Sequence, residues 1–186
     1  AVLQHQINAH FLFNTLNSLY ALSLEKSDQA PDAILKLSSI MRYVVTESSN
    51  EFVSLEKELN YITDYIDLQK LRMVENTNFD LDLQGNFKNN KIAPLLLIPF
   101  IENAFKYGLN PEKDSSIYIS LKIEKDWLTL KIQNSKSVEL TNAKEKTETG
   151  LENTLKRLKY IYPNKHQITI NETKEAYNLQ LKLNLQ

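Results

Sequence analysis

The spacing of apolar residues separates a helical first part of the chain from a second part in which strands and helices mix. Up to about residue 75, apolar residues recur every three or four positions, which is the spacing of one helix face. The segment Ser27–Pro31 interrupts this pattern, and Pro31 fits the first turn of the helix that follows. The stripes before and after the break are Ala9, Leu12, Phe13, Leu16, Leu19 and Tyr20, and then Ile34, Leu37, Met41 and Val44.

A third helix is predicted after Ser54, whose hydroxyl can cap it, with Glu56 in the first turn. Its apolar stripe is Leu55, Leu59, Ile62 and Ile66. From about residue 77 the period changes to two, which is typical of strands. The alternating segments are Phe79–Leu83, Ile117–Ile123, Leu128–Ile132, Ile168–Ile170 and Tyr177–Leu185, and further helices are predicted over Pro94–Gly108 and Leu151–Tyr160.

These patterns predict an α+β protein with two units, residues 1–75 and residues 76–186. The first helix is apolar on more than one side, and an isolated helical hairpin cannot bury two apolar faces. We therefore expect two copies to pair into a four-helix bundle. The chain opens without Met, and Ala1–Gln4 already follow the helical pattern with no capping residue before them. We expect further protein upstream of Ala1.

The composition excludes several classes of site. A net charge of −1 gives no electrostatic footprint for nucleic acid or an anionic membrane. The lack of cysteine excludes disulfides and thiolate sites, and three scattered histidines do not indicate zinc binding. No apolar run approaches the length of a membrane span. With three glycines in the chain, any glycine-rich phosphate loop must be degenerate.

The densest polar group of the first part is formed by Gln6, His10 and Asn14, which stand one helical turn apart along one side. A neutral imidazole near pH 7 is a competent nucleophile, and an amide one turn away can hold the ring or a phosphoryl group without adding charge. The spacing alone equally fits a polar stripe exposed to solvent.

The predicted helix Pro94–Gly108 is strongly apolar, yet it places Glu102 and Asn103 together in its middle. Burying such a pair is costly unless it faces a ligand or a metal. The Asn103 oxygen is a ligand suited to Mg²⁺, and Lys106, one turn on, could neutralise a phosphate. An ordinary helix end with its polar side outward explains the same residues.

Four segments, taken in order, resemble the LytS/YehU-type sensor histidine kinases over essentially the whole chain. Residues His5–Asn17 are similar to the phosphoacceptor box of that family, and Glu56–Arg72 are similar to its linker helix. Residues Pro94–Gly108 resemble its N box, and Gly150–Leu158 resemble the end of its G2 box.

The resemblance implies a helical hairpin followed by a GHKL-type α/β sandwich with a mixed or antiparallel sheet. It implies that His10 receives the γ-phosphoryl group of ATP, with Asn14 beside it, and that Asn103 holds Mg²⁺, with Glu102 orienting water or the metal shell. The residues it assigns to the nucleotide site are Asn103, Lys106, Tyr107, Asn134, Gly150, Leu151 and Asn153, with Gly150 at the start of a helix and Ser135–Thr149 as the ATP lid.

The resemblance also implies partners. These are a second copy of the chain and the receiver domain of a response regulator, expected to be of the LytTR type. No nucleic-acid partner is expected. A membrane is expected only through a region upstream, which would place this chain on the cytoplasmic side of an inner-membrane protein.

Three departures from the family pattern bear on activity. Ala9 stands where the family usually has proline, and its loss is expected to straighten the helix around His10. Asn134 and Ser135 fall where an Asp-x-Gly-x-Gly motif is usual, so an uncharged amide would meet the adenine amine. Glu148 replaces a glycine and adds negative charge near the expected phosphates.

The sequence therefore leaves alternatives to a working kinase. One is a catalytically impaired, dimeric receiver-binding scaffold or a phosphatase-biased signalling module. Another is a GHKL ATPase that forms no phosphohistidine.

Overall fold

The apolar stripes of the sequence form helices, and its alternating segments form one main sheet. The computed structural model describes residues 8–110, 112–136 and 144–186, and for residues 144–149 it describes the backbone alone. The helices of this part are α1 (Ala9–Leu24), α2 (Gln29–Thr46), α3 (Leu55–Lys70), α4 (Ile98–Gly108) and α5 (Lys144–Ile161). None of these helices is long and apolar enough to cross a membrane.

The strands confirm the predicted α+β class with a mixed sheet. They are β1 (Val53–Ser54), β2 (Thr77–Gln84), β3 (Lys91–Ile92), β4 (Ser115–Glu124), β5 (Trp127–Ser135), β6 (His166–Glu172) and β7 (Ala176–Asn184). The main sheet has the order β2-β4-β5-β7-β6. Strands β2 and β4 are parallel, and the other neighbours are antiparallel. Alternate residues of β4 face the core, as the period of two predicts.

Helix α1 begins at Ala9, capped by the side chain of Asn8, which accepts a hydrogen bond from the His10 N–H at 2.9 Å. This corrects the expectation that Ala9 straightens a helix running through His10. At the first helical position the N–H has no intrahelical partner to lose, so proline there would not kink the helix. The expected helical run over Ala1–Gln4, together with His5 and Gln6, lies outside the described residues.

Helices α2 and α3 pack against each other through one side of α2. Leu37 and Val44 of the predicted seam are buried there, with Ile40 between them. Ile34 and Met41 of the same seam are exposed in the single chain, because α3 covers only one side of α2. As predicted, Ser54 caps α3 by accepting from the Lys57 N–H at 3.4 Å.

Helix α4 begins later than predicted. Leu95 has φ +59°, in the left-handed region, so the helix starts at Ile98 rather than Pro94. Pro99 lies in its first turn, where a missing N–H costs nothing. The helix ends at Gly108, as predicted.

A short ladder joins the start of α3 to the segment before α4. Val53 of β1 pairs with Ile92 of β3, and the Leu55 N–H donates to the Asn90 carbonyl at 2.9 Å. The buried apolar residues form one continuous cluster that extends from Phe11 in α1 to Leu183 in β7. The three helices of the first part thus share a hydrophobic core with the sheet.

Helix α5 also differs from expectation, because it begins at Lys144. Gly150 therefore lies in its second turn and not at its start, where the free amides of a helix would be. The run Lys144–Thr149 is rich in Lys and Glu, which have high helix propensity and extend the helix backwards. Residues 137–143 of the expected ATP lid, and the side chain of Glu148, lie outside the described part.

Candidate functional site

Helix α4 carries the central residues of the site because its apolar side is fixed on the core. Phe100, Ile101, Ala104 and Phe105 are buried, and the polar residues therefore fall on the remaining side. The predicted site residues on that side are Glu102, Asn103 and Tyr107, which are half-buried, and Lys106, which is exposed.

Glu102 is the charged group most affected by its surroundings. Burial raises the pKa of its carboxyl to about 7, and the positive charge of Lys106, one turn on, acts in the opposite direction. Burial also raises the pKa values of Tyr61 and Tyr65 on α3, and the negative charge of Glu102 raises them further. Glu102 therefore lies near α3 with its charge only partly compensated.

The end of α4 comes close to the end of β5. Gly108 allows this approach, because a Cβ there would lie 2.8 Å from Ile117 Cγ1 and 3.1 Å from Asn134 Cβ. Gly108 is required for close packing and not for a left-handed turn, since only Gly85 among the described glycines has a positive φ.

Asn134 lies at this junction with its side-chain oxygen unused. The residue is 4% exposed, and its Nδ2 donates to the Ser135 carbonyl at 2.9 Å. Its Oδ1 is buried and has no hydrogen-bond partner in the described part of the chain. A buried acceptor without a partner is costly, and a ligand N–H would satisfy it.

Two tyrosines border the same junction. Tyr177 of β7 pairs with Asn134 across the sheet. Burial raises the pKa of Tyr177 to about 12, with smaller upward contributions from Glu172 and Tyr107. Tyr107 of α4 is therefore close to Tyr177, and the end of α4 meets the Asn134 end of the sheet. Sequence reasoning missed Tyr177, since only its position opposite Asn134 marks it.

The G2-box residues are placed less centrally. Gly150 has open space around it, and its carbonyl accepts from the Thr154 hydroxyl at 3.0 Å. Leu151 is half-buried, and Asn153 is exposed on α5. Helix α5 contacts α4. The described contacts do not bring Asn153 to the Asn134 junction.

His10 is exposed in the first turn of α1. The next residue, Phe11, packs on Tyr65 of α3 with ring centroids 4.6 Å apart, and Tyr65 meets Phe105 of α4 edge-on at 6.3 Å. Asn14, one turn after His10, has a buried Nδ2 with no partner among the described residues. The start of α1 is thus linked to the N-box helix through one aromatic contact on each side of Tyr65.

No group of three or more histidine or acidic residues in the described part could hold a metal ion. A metal at Asn103 would therefore need ligands from a bound molecule as well. Mg²⁺ sites of this kind are common, because the ion keeps several waters and binds substrate phosphates with one or two protein groups.

Comparison with known proteins agrees with the collinear motifs. Residues 1–77 match the family model described as histidine kinase. The sensor protein LytS of Staphylococcus epidermidis is 27% identical over 134 residues, which cover 72% of this chain and 23% of that protein. The sensor histidine kinase BtsS of Escherichia coli is 27% identical over 179 residues, 95% of this chain and 31% of that protein. The chain spans less than a third of the length of these relatives.

A solved structure supports the fold. The histidine kinase domain of the Erythrobacter litoralis EL346 blue-light activated histidine kinase matches with a TM-score of 0.50 at 8% identity, covering 98% of this chain and 91% of that chain. The architecture is that of a helical hairpin followed by a GHKL α/β sandwich. The family match over residues 1–77 and the two relatives together show that the chain is similar to the LytS-type sensor histidine kinases.

Proposed function

We propose that the chain binds Mg²⁺-ATP between α4, α5 and the end of β5 and transfers the γ-phosphoryl group to His10. The observation that carries this proposal is the buried, unpartnered Oδ1 of Asn134 beside the end of α4. The exocyclic amine of adenine is a donor that would satisfy it. Tyr107 and Tyr177 flank this position and suit an aromatic base.

The proposed phosphate end of the site lies on the polar side of α4. Asn103 offers an amide oxygen to Mg²⁺, and Lys106 brings a positive charge one turn further along. Mg²⁺, when bound, would neutralise phosphate charge and orient the triphosphate. Glu102 lies beside Asn103 and would hold a water or a ligand of the metal, since its raised pKa leaves it close to half-protonated near pH 7.

His10 is the proposed acceptor. A ring nitrogen with a free lone pair attacks the γ-phosphorus, the bond to the β,γ-bridging oxygen breaks, and ADP leaves with that oxygen. The other ring nitrogen then releases its proton to solvent, to which His10 is exposed. The first turn of a helix favours the new negative charge. The amide of Asn14, one turn away, would orient the ring or the phosphoryl group.

The active form is proposed to be a homodimer. Both helices of the hairpin leave an apolar stripe exposed in the single chain, at the spacing of a helix–helix seam. These exposed residues are Phe13, Leu16, Tyr20 and Leu24 of α1, and Ile34, Leu35, Met41 and Val45 of α2. Pairing of two hairpins into a four-helix bundle would cover them.

We further propose that phosphohistidine passes its group to an Asp of a response-regulator receiver domain, expected to be of the LytTR type. Residues 1–75 would act as the dimerisation and phosphoacceptor unit and residues 76–186 as the ATP-binding unit. A membrane anchor would belong to protein upstream, with this chain on the cytoplasmic side.

Nucleotide binding tests the site assignment. Calorimetry with the wild-type chain should show ATP binding that weakens when Mg²⁺ is removed, whereas Asn103→Ala should bind equally weakly with and without Mg²⁺. Asn60→Ala, which removes an exposed amide from α3, serves as the matched control and should behave as wild type. Mg²⁺-dependent binding retained in Asn103→Ala would contradict the assignment. No binding by the wild-type chain would favour the receiver-binding scaffold.

A further inference from the structure

A fully buried carboxylate on α3 holds the segment that leads into α4. Glu58 is 0% exposed, and its Oε1 accepts a hydrogen bond from the Leu95 N–H at 2.9 Å. Its Oε2 accepts from the hydroxyl of Tyr43 on α2. One side chain therefore joins α2, α3 and the approach to the N-box helix. The proposed phosphoryl transfer does not use this group.

The segment it holds is irregular and buried, and side chains from other elements fix each of its residues. The Ala93 N–H donates to the Tyr162 hydroxyl at 3.1 Å, and Arg157 Nη2 donates to the Pro94 carbonyl at 2.6 Å. The third hydrogen bond is the one from the Leu95 N–H to Glu58, and Leu95 adopts φ +59°. The left-handed conformation is unfavourable for a residue with a side chain, so contacts must hold Leu95 there.

The held segment determines where α4 begins and how it is oriented. The helix starts at Ile98, three residues after Leu95, and Glu102 and Asn103 follow in its second turn. Arg157 belongs to α5, which also carries Gly150. The contacts to the segment therefore come from α5 on one side and from α3 on the other.

We propose that Glu58 is a positioning residue of the nucleotide site, which acts through Leu95 to hold α4 in the orientation that presents Asn103. This proposal rests on the proposed function. Tyr43 extends the same contact to α2, so the packing of the helical hairpin and the placement of α4 depend on one carboxylate.

The two hydrogen bonds that Glu58 accepts predict different effects for Glu58→Gln and Glu58→Ala. Burial raises the pKa of Glu58 to about 7, while the Tyr43 hydroxyl, the Leu95 N–H and the charge of Arg157 act in the opposite direction. Glu58→Gln keeps an acceptor oxygen for Leu95 and an amide for the Tyr43 hydroxyl. Glu58→Ala leaves both donors buried without a partner, which is the costly case.

The test compares Mg²⁺-ATP affinity with thermal stability in the 186-residue chain. Glu58→Ala should weaken affinity about tenfold, which corresponds to the free energy of about one hydrogen bond, because α4 would no longer be held in the orientation that presents Asn103; Glu58→Gln should restore most of the affinity. The control is Ile40→Ala, which removes a fully buried side chain from α2 one turn from Tyr43 and lowers the melting temperature without removing a polar contact to residues 93–95. Its affinity should stay within about twofold of wild type at temperatures where all variants are folded.

Amide hydrogen exchange separates this proposal from the proposed function. In Glu58→Ala the Leu95 amide and the first turn of α4 should lose protection, whereas Ile40→Ala should leave them unchanged relative to global stability. If the wild-type chain binds no nucleotide, the proposed function is contradicted. Even then, unchanged amide hydrogen exchange in the first turn of α4 of Glu58→Ala would overturn the positioning role. Equal affinity in Glu58→Ala and wild type, or equal losses in Glu58→Ala and Ile40→Ala, would also overturn it.

Discussion

In the proposed nucleotide site, the side chain of Asn134 would offer an uncharged acceptor to the base. Its Nδ2 is occupied by the Ser135 carbonyl, and only its buried Oδ1 is unsatisfied among the described contacts of this side chain. An amide in this environment avoids the cost of burying a carboxylate, which would be several kcal/mol without a paired charge. The proposed recognition of adenine at this position would therefore depend on geometry more than on charge.

Replacing Asn134 by leucine should separate recognition from stability. Leu has nearly the same shape and removes the unsatisfied acceptor, but it also removes the hydrogen bond from Nδ2 to the Ser135 carbonyl, so the unfolding free energy should change little. ATP affinity should fall by about 1–3 kcal/mol, or roughly 5- to 150-fold. Inosine triphosphate, which carries a carbonyl in place of the exocyclic amine, should lose no affinity in Asn134→Leu. A variant that still prefers ATP over inosine triphosphate would contradict the role of Asn134.

Glu102 should make stability depend on pH. Its pKa rises from 4.5 to about 7 on folding, so the folded chain binds this proton more tightly than the unfolded chain does. The associated stability is fully present below pH 4.5 and is lost as the pH rises to about 7, with a loss of at most on the order of 3 kcal/mol.

Denaturant unfolding of wild type and Glu102→Gln between these two pH values checks this contribution. The charged and titratable groups around Glu102 are Lys106 on α4 and Tyr61 and Tyr65 on α3, and the pKa values of both tyrosines are raised, so that neither tyrosine ionises in that interval. The wild-type curve should fall more steeply than that of Glu102→Gln. Parallel curves would show that Glu102 titrates as an exposed carboxyl.

At the scale of elements, the site depends on how closely α4 approaches the sheet and how far α5 extends. Gly108 allows the close approach of α4 to the sheet, because a Cβ at this position would crowd Ile117 and Asn134. Gly150 lies within α5, where a Cβ would meet open space. Substitution by alanine is therefore expected to destabilise the chain at Gly108 and to stabilise it at Gly150.

Gly108→Ala should destabilise the chain by about 1–3 kcal/mol through overpacking and should weaken ATP binding, because α4 must move away from Asn134. Gly150→Ala should stabilise α5 by about 0.5–1 kcal/mol. Thermal unfolding and calorimetry measure both effects. If Gly150→Ala gains stability and loses ATP affinity, the backbone at Gly150 approaches the phosphates, as the family resemblance implies. A Gly108→Ala variant as stable as wild type would contradict the described packing.

At the scale of the molecule, the proposed homodimer would cover the exposed stripes of α1 and α2. Leu16 and Met41 lie within these stripes, and Tyr160 is an exposed aromatic residue on α5 away from them. The double variant Leu16→Glu, Met41→Glu should be monomeric with unchanged helix content, because charges cannot be buried in an apolar seam. Tyr160→Glu should remain dimeric. Sedimentation equilibrium measures the mass, and a double variant that is still dimeric would place the interface elsewhere.

Much of the fold was predictable because local patterns determine it. The period of two identified the strands Phe79–Leu83 and Ile117–Ile123, and Ser54 marked the start of α3. The late start of α4 was not predictable, because it depends on Leu95 being held by Glu58 from a distant part of the chain. The one indication of this contact in the sequence is that Glu58, a charged residue, falls on the apolar stripe of α3.

The candidate site was predictable only as far as side-chain chemistry identifies it. Asn103 and Lys106 were proposed from their amide and amine on an apolar helix. The unsatisfied oxygen of Asn134 and the approach of Tyr177 are properties of strand pairing, which no local pattern contains. The predicted start of α5 was wrong, because residues of high helix propensity before Gly150 extend the helix back to Lys144.

Transfer of phosphate to His10 is measured most directly by incubating the chain with Mg²⁺ and γ-labelled ATP. We predict acid-labile label on the wild-type chain and on the control His166→Gln, whose imidazole contacts the Tyr162 carbonyl away from α1. His10→Gln should bind ATP with wild-type affinity and carry no label. Label retained by His10→Gln, or ATP hydrolysis at equal rates by both proteins without label, would contradict the account.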